Sequence, residues 1–119
     1  MLIVEDDEDS RVMLGELVAS FGHQPFRAAS GAEALVHAGQ SRPDVALIDI
    51  GLRGEDGCEV ARRLRAALGG DSIRLVALTG YSDGATREIA DEAGFDDYII
   101  KPVLPEMLAE LLQSTPALG

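Results

Sequence analysis

Val45-Ala-Leu-Ile-Asp-Ile-Gly-Leu-Arg-Gly-Glu-Asp-Gly57 is the stretch on which the fold turns. Val45 to Ile48 is apolar without interruption. A strand with one wet face alternates, so an unbroken run of this length, within the candidate strand Asp44 to Ile48, suits a strand covered on both faces. Asp49 follows it. Gly51 and Gly54 then make the segment from Ile50 to Glu55 a loop. Asp56 is placed to cap a helix whose apolar face reads as Val60, Leu64, Ala67 and Leu68. Gly69 and Gly70 end that helix. Strand, loop and helix in this order form one unit of an alternating fold.

The same unit recurs on both sides. Leu2 to Val4 reads as a short buried strand, and Leu14, Leu17, Val18 and Phe21 then repeat at helical spacing before Gly22. Gln24 to Ala29 is a weaker strand candidate. Ser30, with Glu33 three residues on, looks like a capping box opening a helix to about Gly39. Ile73 to Leu78 is a further buried strand. Ser82 or Asp83 can cap a helix ending at Gly94, with a weak apolar face of Ala85, Ile89, Ala90 and Ala93. Tyr98 to Ile100 is the last strand. Leu104, Leu108, Leu111 and Leu112 mark a closing helix with Pro105 near its first turn. Five strand–helix units imply an α/β fold, a parallel sheet with helices on both faces. One domain is expected over residues 1–113, with residues 114–119 as a frayed tail.

Composition narrows the function classes. The 119 residues suffice for a single core, and 46% hydrophobic with 26% charged residues describes a globule rather than a disordered chain. No apolar run approaches the roughly 18–20 residues that span a bilayer. No basic segment followed by an apolar one opens the chain. Cys58 is the lone cysteine, which excludes an internal disulfide, and His23 and His37 lack metal-ligand spacing. A cytoplasmic setting is therefore expected. The formal net charge of −11 repels phosphate backbones and anionic lipid, and so argues against direct nucleic-acid or membrane contact. Glu5, Asp6, Asp7, Glu8 and Asp9 form an unbroken acidic run directly after the first strand. The last three are expected to cap and charge the N-terminus of the first helix.

In open parallel sheets ligands bind beyond the carboxyl ends of the strands. Glu5 and Asp6 follow the first strand, Asp49 the third, Thr79 the fourth and Lys101 the fifth. Three carboxylates, a hydroxyl and an ammonium thus converge on one rim. Carboxylates crowded together repel unless a cation lies among them, and their hard oxygens suit Mg²⁺. A carboxylate can also act as a nucleophile and form an aspartyl phosphate. Lys101 would neutralise phosphoryl oxygens, and Thr79 could hydrogen-bond one of them.

Four segments, LIVEDDEDSR, VALIDIGLRGEDGCEVARRLR, LVALTGYS and GFDDYIIKPV, resemble in order and interval the signature regions of bacterial response-regulator receiver domains. The resemblance runs from Leu2 to Leu112. It implies a doubly wound, flavodoxin-like (βα)5 fold with strand order 2-1-3-4-5. It implies that Glu5 and Asp6 are the acidic pair for Mg²⁺, Asp6 directly and Glu5 through water, and that the backbone carbonyl of Gly51 joins them. Asp49 matches the phosphoacceptor, Thr79 the switch hydroxyl, Tyr98 the switch aromatic and Lys101 the family's lysine. Pro102 stands where such domains typically carry a cis Lys–Pro bond. One departure is Arg53, which occupies the place of a usual Pro and is expected to loosen the loop after Asp49. Tyr81, two residues after Thr79, matches a position that influences how long the phosphoryl group lasts.

The resemblance further implies partners. A histidine kinase or histidine phosphotransfer domain would donate from phosphohistidine, and the face made by the fourth helix, fifth strand and fifth helix would address an output domain or downstream protein. Such a domain catalyses its own phosphorylation and dephosphorylation and is not a classical enzyme. DIGLRGEDG and ALTGYS, with no linker or output segment after them, suggest a fragment of a hybrid sensor histidine kinase. A free-standing receiver and a truncated DNA-binding regulator are the alternatives. A remote one is an aspartyl-nucleophile phosphatase, although such enzymes usually carry a second Asp where this chain has Gly51.

Overall fold

The computed structural model describes residues 1–52, 54–69, 73–80 and 84–114. Strands β1 (Leu2–Val4), β2 (Phe26–Ala28), β3 (Val45–Asp49), β4 (Arg74–Thr79) and β5 (Asp97–Ile100) alternate with helices α1 (Glu8–Ser20), α2 (Gly31–Ser41), α3 (Gly57–Leu68), α4 (Gly84–Glu92) and α5 (Pro105–Ser114). All strand pairs are parallel, in the order β2-β1-β3-β4-β5. This is the doubly wound, flavodoxin-like arrangement expected from the sequence.

The unbroken apolar runs have a simple cause. Successive strand side chains point to opposite faces, and here both faces are covered. Leu2, Val4, Ala46, Ile48, Leu75 and Ala77 pack with Ala34 and Ala38 of α2, Val60, Ala61 and Leu64 of α3, and Ala90 of α4. Ile3, Val45, Leu47, Val76, Leu78 and Ile99 face the other way, onto Leu14 and Val18 of α1 and Leu108 and Leu111 of α5. β3 is buried along its whole length.

The helix starts follow the capping chemistry. Asp7 accepts from the Ser10 N–H at 3.0 Å and Asp56 from the Cys58 N–H at 2.9 Å. Ser30 accepts from the Glu33 N–H at 3.2 Å, while Glu33 reaches past Ser30 to accept from the Ala29 N–H at 2.6 Å. Gly69 ends α3 in the left-handed region at φ 81°.

The structure corrects several face assignments. Phe21 lies just past the end of α1 as its C-cap and is exposed, so it leaves the apolar stripe. In α3 Ala61, not Ala67, completes the buried face. In α4 only Ala90 is buried, while Ala85 and Ile89 face outward. Leu104 precedes α5 and is exposed. Helix α5 includes Ser114, one residue beyond the expected domain boundary, and residues 115–119 lie outside the described residues. So do Gly70 and the capping candidates Ser82 and Asp83. Among the described residues no helix is long and apolar enough to cross a membrane.

One contact ties helix placement to the rim. At Gly57, the first residue of α3, a Cβ would lie 2.4 Å from the Asp49 carbonyl oxygen and 2.6 Å from Ile50 Cα. These are backbone atoms and cannot swing aside. Gly57→Ala is expected to destabilise the domain by about 1–3 kcal/mol. Gly39→Ala, in an open position of α2, should stabilise it by about 0.5–1 kcal/mol. Urea denaturation of the two variants beside the parent measures both.

Candidate functional site

Register aligns the strand ends. Val4 pairs with Ile48, Asp49 with Leu78 and Thr79 with Ile100. Glu5, Asp49, Thr79 and Lys101 therefore stand along one edge of the sheet. The chain leaves β1 toward β2 and returns on the other side as β3, so strand order reverses between β1 and β3. A crevice opens at such a reversal. Glu5 and Asp6 flank it from β1, and Asp49 from β3.

The carboxylate oxygens of Glu5, Asp6 and Asp49 lie within 4.8 Å of one another. Lys101, the one lysine in the sequence, places Nζ 2.8 Å from Asp49 Oδ2 and 3.2 Å from Glu5 Oε1. Its backbone N–H donates to the Thr79 carbonyl at 2.7 Å, and its peptide bond to Pro102 is cis. The Gly51 N–H donates to Asp49 Oδ1 at 2.8 Å. Both Asp49 oxygens thus hold a donor. Glu5 is 1% exposed, and among the described residues its Oε2 has no hydrogen-bond partner.

Burial is the largest influence on Glu5. It pushes the carboxyl up to about 7, reinforced by the hydrogen bond and charge of Asp49 and partly offset by Lys101. Burial also disfavours the ionised form of Asp49. There it is outweighed by hydrogen bonds with Glu5, Lys101 and the Gly51 amide and by the Lys101 charge, so the Asp49 carboxyl lies below the ordinary Asp range. Burial likewise opposes the Lys101 charge, and the two carboxylates overcome it and raise the ammonium above its usual value.

This donor set fits a hard divalent cation. Three carboxylates gather at one point, and Glu5 Oε2, without a hydrogen-bond partner among the described residues, is an oxygen that a cation or its water shell would satisfy. Of the residues singled out in the sequence, Glu5, Asp6, Asp49, Gly51, Thr79 and Lys101 meet at the rim. Tyr98 does not. It pairs with Ala77, two positions back from the strand end, and is half-buried with the Arg87 guanidinium 5.9 Å from its ring centre. Arg53 and Tyr81 lie outside the described residues.

Sequence reading missed Arg11. From the first turn and a half of α1 it donates to the backbone carbonyls of Glu5 at 3.0 Å and Asp6 at 3.4 Å, bracing the turn that presents both carboxylates. The available signal was its position, as the first basic residue after five acidic ones.

The raised Glu5 carboxyl gives stability a pH dependence in metal-free protein. The folded state holds this proton more tightly than the unfolded chain, so the contribution is full below about 4.5 and is lost as pH rises toward 7. Asp49, with its lowered carboxyl, acts in the opposite sense and at lower pH, its contribution being lost as pH falls below the ordinary Asp range. The melting temperature in a chelator is expected to fall between pH 5 and 7. Glu5→Gln should flatten that fall, as thermal melts across the pH series would record.

Comparison with known proteins agrees with this arrangement. The family described as the response regulator receiver domain matches residues 1–113. The transcriptional regulatory protein AfsQ1 of Streptomyces coelicolor is 36% identical over 108 residues, covering 91% of this chain and 47% of that protein. The sporulation initiation phosphotransferase F of Bacillus subtilis is 32% identical over 102 residues, covering 86% of this chain and 81% of that one. The chain thus spans about half the length of the regulator and most of the phosphotransferase. Among solved structures, the chemotaxis protein CheY4 of Vibrio cholerae superposes with a TM-score of 0.85 at 26% identity, over 94% of this chain and 93% of that one. A CheY-like receiver domain protein of Methanospirillum hungatei gives 0.83 at 28% identity, over 94% and 88%. A family match over nearly the whole chain, on the same fold and with an acidic cluster at the strand ends, leads to one conclusion: this chain belongs to the response regulator receiver domain family of two-component signalling systems.

Proposed function

We propose that Asp49 accepts a phosphoryl group from the phosphohistidine of a histidine kinase or histidine phosphotransfer domain, with Mg²⁺ held by Glu5, Asp6, Asp49 and the backbone carbonyl of Gly51. The observation that carries this reading is the Lys101 ammonium on Asp49 Oδ2, 2.8 Å away inside a cluster of three carboxylates. In the transfer, an Asp49 carboxylate oxygen bonds to phosphorus while the donor's P–N bond breaks and its electron pair stays on the imidazole. The product is an acyl phosphate. Asp49 suits the role because its neighbours keep it ionised. Lys101 is placed to follow the charge onto the phosphoryl oxygens. Bound Mg²⁺ supplies the positive charge that lets an anion approach an acidic rim.

Transfer turns a singly charged carboxylate into an acyl phosphate that carries about −1.5 to −2 and three strong acceptor oxygens at one point, enough to bias a two-state equilibrium. Thr79 at the rim and Tyr98 behind it are the residues we assign to the readout. The face of α4, β5 and α5 addresses the output domain or downstream protein. The chain modifies itself and turns over no separate substrate, so it acts as a switch rather than as a classical enzyme. A cytoplasmic setting goes with this reading.

The parent protein has two readings. The DIGLRGEDG and ALTGYS segments support a hybrid sensor histidine kinase. Likeness to a transcriptional regulator and to a phosphotransferase supports instead a DNA-binding regulator or a free-standing receiver. The sequence flanking this segment in its gene decides between them.

Treatment with Mg²⁺ and a small phosphodonor should add one phosphoryl group by intact mass, and Asp49→Asn should gain none. Equal labelling of the two would refute the assignment. Mg²⁺ alone should raise the melting temperature by several degrees, since a ligand at a hundredfold its dissociation constant stabilises by about 2.7 kcal/mol. Asp6→Asn should lose most of that rise in the same melts.

A further inference from the structure

The loop that leaves Asp49 is held at both ends. The Ile50 N–H donates to the Leu78 carbonyl at 3.0 Å and the Gly51 N–H to Asp49 Oδ1 at 2.8 Å. At the far end Asp56 caps α3 through the Cys58 N–H, and Gly57 packs directly on the Asp49 backbone. Between these ends Leu52 is buried. Glu55 then reaches out of the loop altogether. Its Oε1 accepts from the N–H of Gly31, the first residue of α2, at 2.6 Å.

This contact is well founded on its receiving side. The α2 capping box serves the Glu33 and Ala29 N–H groups, and the Gly31 N–H goes to Glu55 instead. A carboxylate at a helix N-terminus forms a charge-assisted hydrogen bond and meets the positive end of the helix dipole. Helix α2 cannot drift with the loop, because Ala34 and Ala38 are buried against the sheet. Gly31 is itself enclosed, and a Cβ there would lie 2.7 Å from Val60 Cγ2 and 3.0 Å from Glu55 Oε2. The position is shaped around the contact.

We infer that Glu55 is a positioning residue for the acceptor site, tying the β3–α3 loop to the N-terminus of α2 and so holding the Gly51 backbone on Asp49. The inference rests on the reading of Asp49 as phosphoacceptor for its consequence, but not for the contact. Without the tie the loop gains freedom between Leu52 and Asp56, and the Gly51 amide spends less time on Asp49 Oδ1. The site then loses alignment while the sheet stays intact.

The test compares Glu55→Ala, Glu55→Gln and Glu55→Asp with the parent protein. Gln keeps an acceptor oxygen at the same reach, whereas Asp keeps the charge but falls short by one methylene. The first readout is amide hydrogen exchange in metal-free, unphosphorylated protein. Ala and Asp should speed exchange at Ile50 and Gly51 on the order of tenfold, with amides of α5 unchanged and Gln nearer the parent. The second readout is the rate of labelling by a small phosphodonor, which should fall several-fold in Ala and Asp and largely recover in Gln. Unchanged exchange at Ile50 and Gly51 would overturn the inference, as would uniform acceleration throughout the chain. Should Glu55→Ala not fold, Asp against Gln gives the same decision. Asp49→Asn, run alongside, reports separately on the acceptor assignment, because the exchange arm needs no phosphoryl transfer.

Discussion

Among the described residues, the Glu5 and Asp49 carboxylates share the Lys101 ammonium at the carboxyl edge of the sheet, with Asp6 beside them, and much of the site follows from that sharing. Lys101 bridges Glu5 and Asp49, yet one amine cannot satisfy the four oxygens of that pair. The shortfall falls on Glu5, whose buried Oε2 has no donor among the described residues and whose carboxyl is pushed up to about 7. Asp49 escapes it, because Lys101 and the Gly51 amide each take one of its oxygens. Two acids a few ångströms apart are thereby driven in opposite directions, one toward the neutral form and one toward the charged form. Such divergence is a common mark of sites that perform chemistry.

The scaffold explains why this sharing persists. Parallel strands in register fix where each ends, so the residues that follow them have little choice of position. Hydrophobic burial on both faces holds that register, since a slip of one residue would exchange the side chains fitted to one helix layer with those fitted to the other. Arg11 braces the acidic turn from below, and Gly57 lets α3 press against the backbone of Asp49. The repulsion at the rim is thus sustained by packing elsewhere in the domain.

Much of this was legible in the sequence. Apolar runs located the buried strands to within a residue or two, because burial on both faces leaves a one-dimensional signature. The gathering of Glu5, Asp6, Asp49 and Lys101 at one rim was legible too, since residues that follow strands take their place from strand position. What escaped were facts that belong to three dimensions. Phe21, Ala67 and Leu104 have the composition of core residues, but helix ends and rotation turned them outward. The contacts of Arg11 with Glu5 and of Glu55 with Gly31 join a side chain to backbone in another segment, and no residue spacing encodes that. The elevated Glu5 carboxyl likewise needs burial and neighbours that a linear pattern does not carry. The direction in which Arg53 departs from the family was visible, but its position lies outside the described residues.

The sheet also acts as a partition. Among the described residues, the apolar cluster under α2, α3 and α4 and the one under α1 and α5 share no side chains, and the five-stranded sheet stands between them. A void made on one side cannot be filled from the other, so packing changes on opposite sides combine nearly independently. The two halves of the interior can therefore diverge at separate tempos. One side can be rebuilt for new neighbours while the other keeps its packing, and the rim between them keeps its alignment so long as strand register holds.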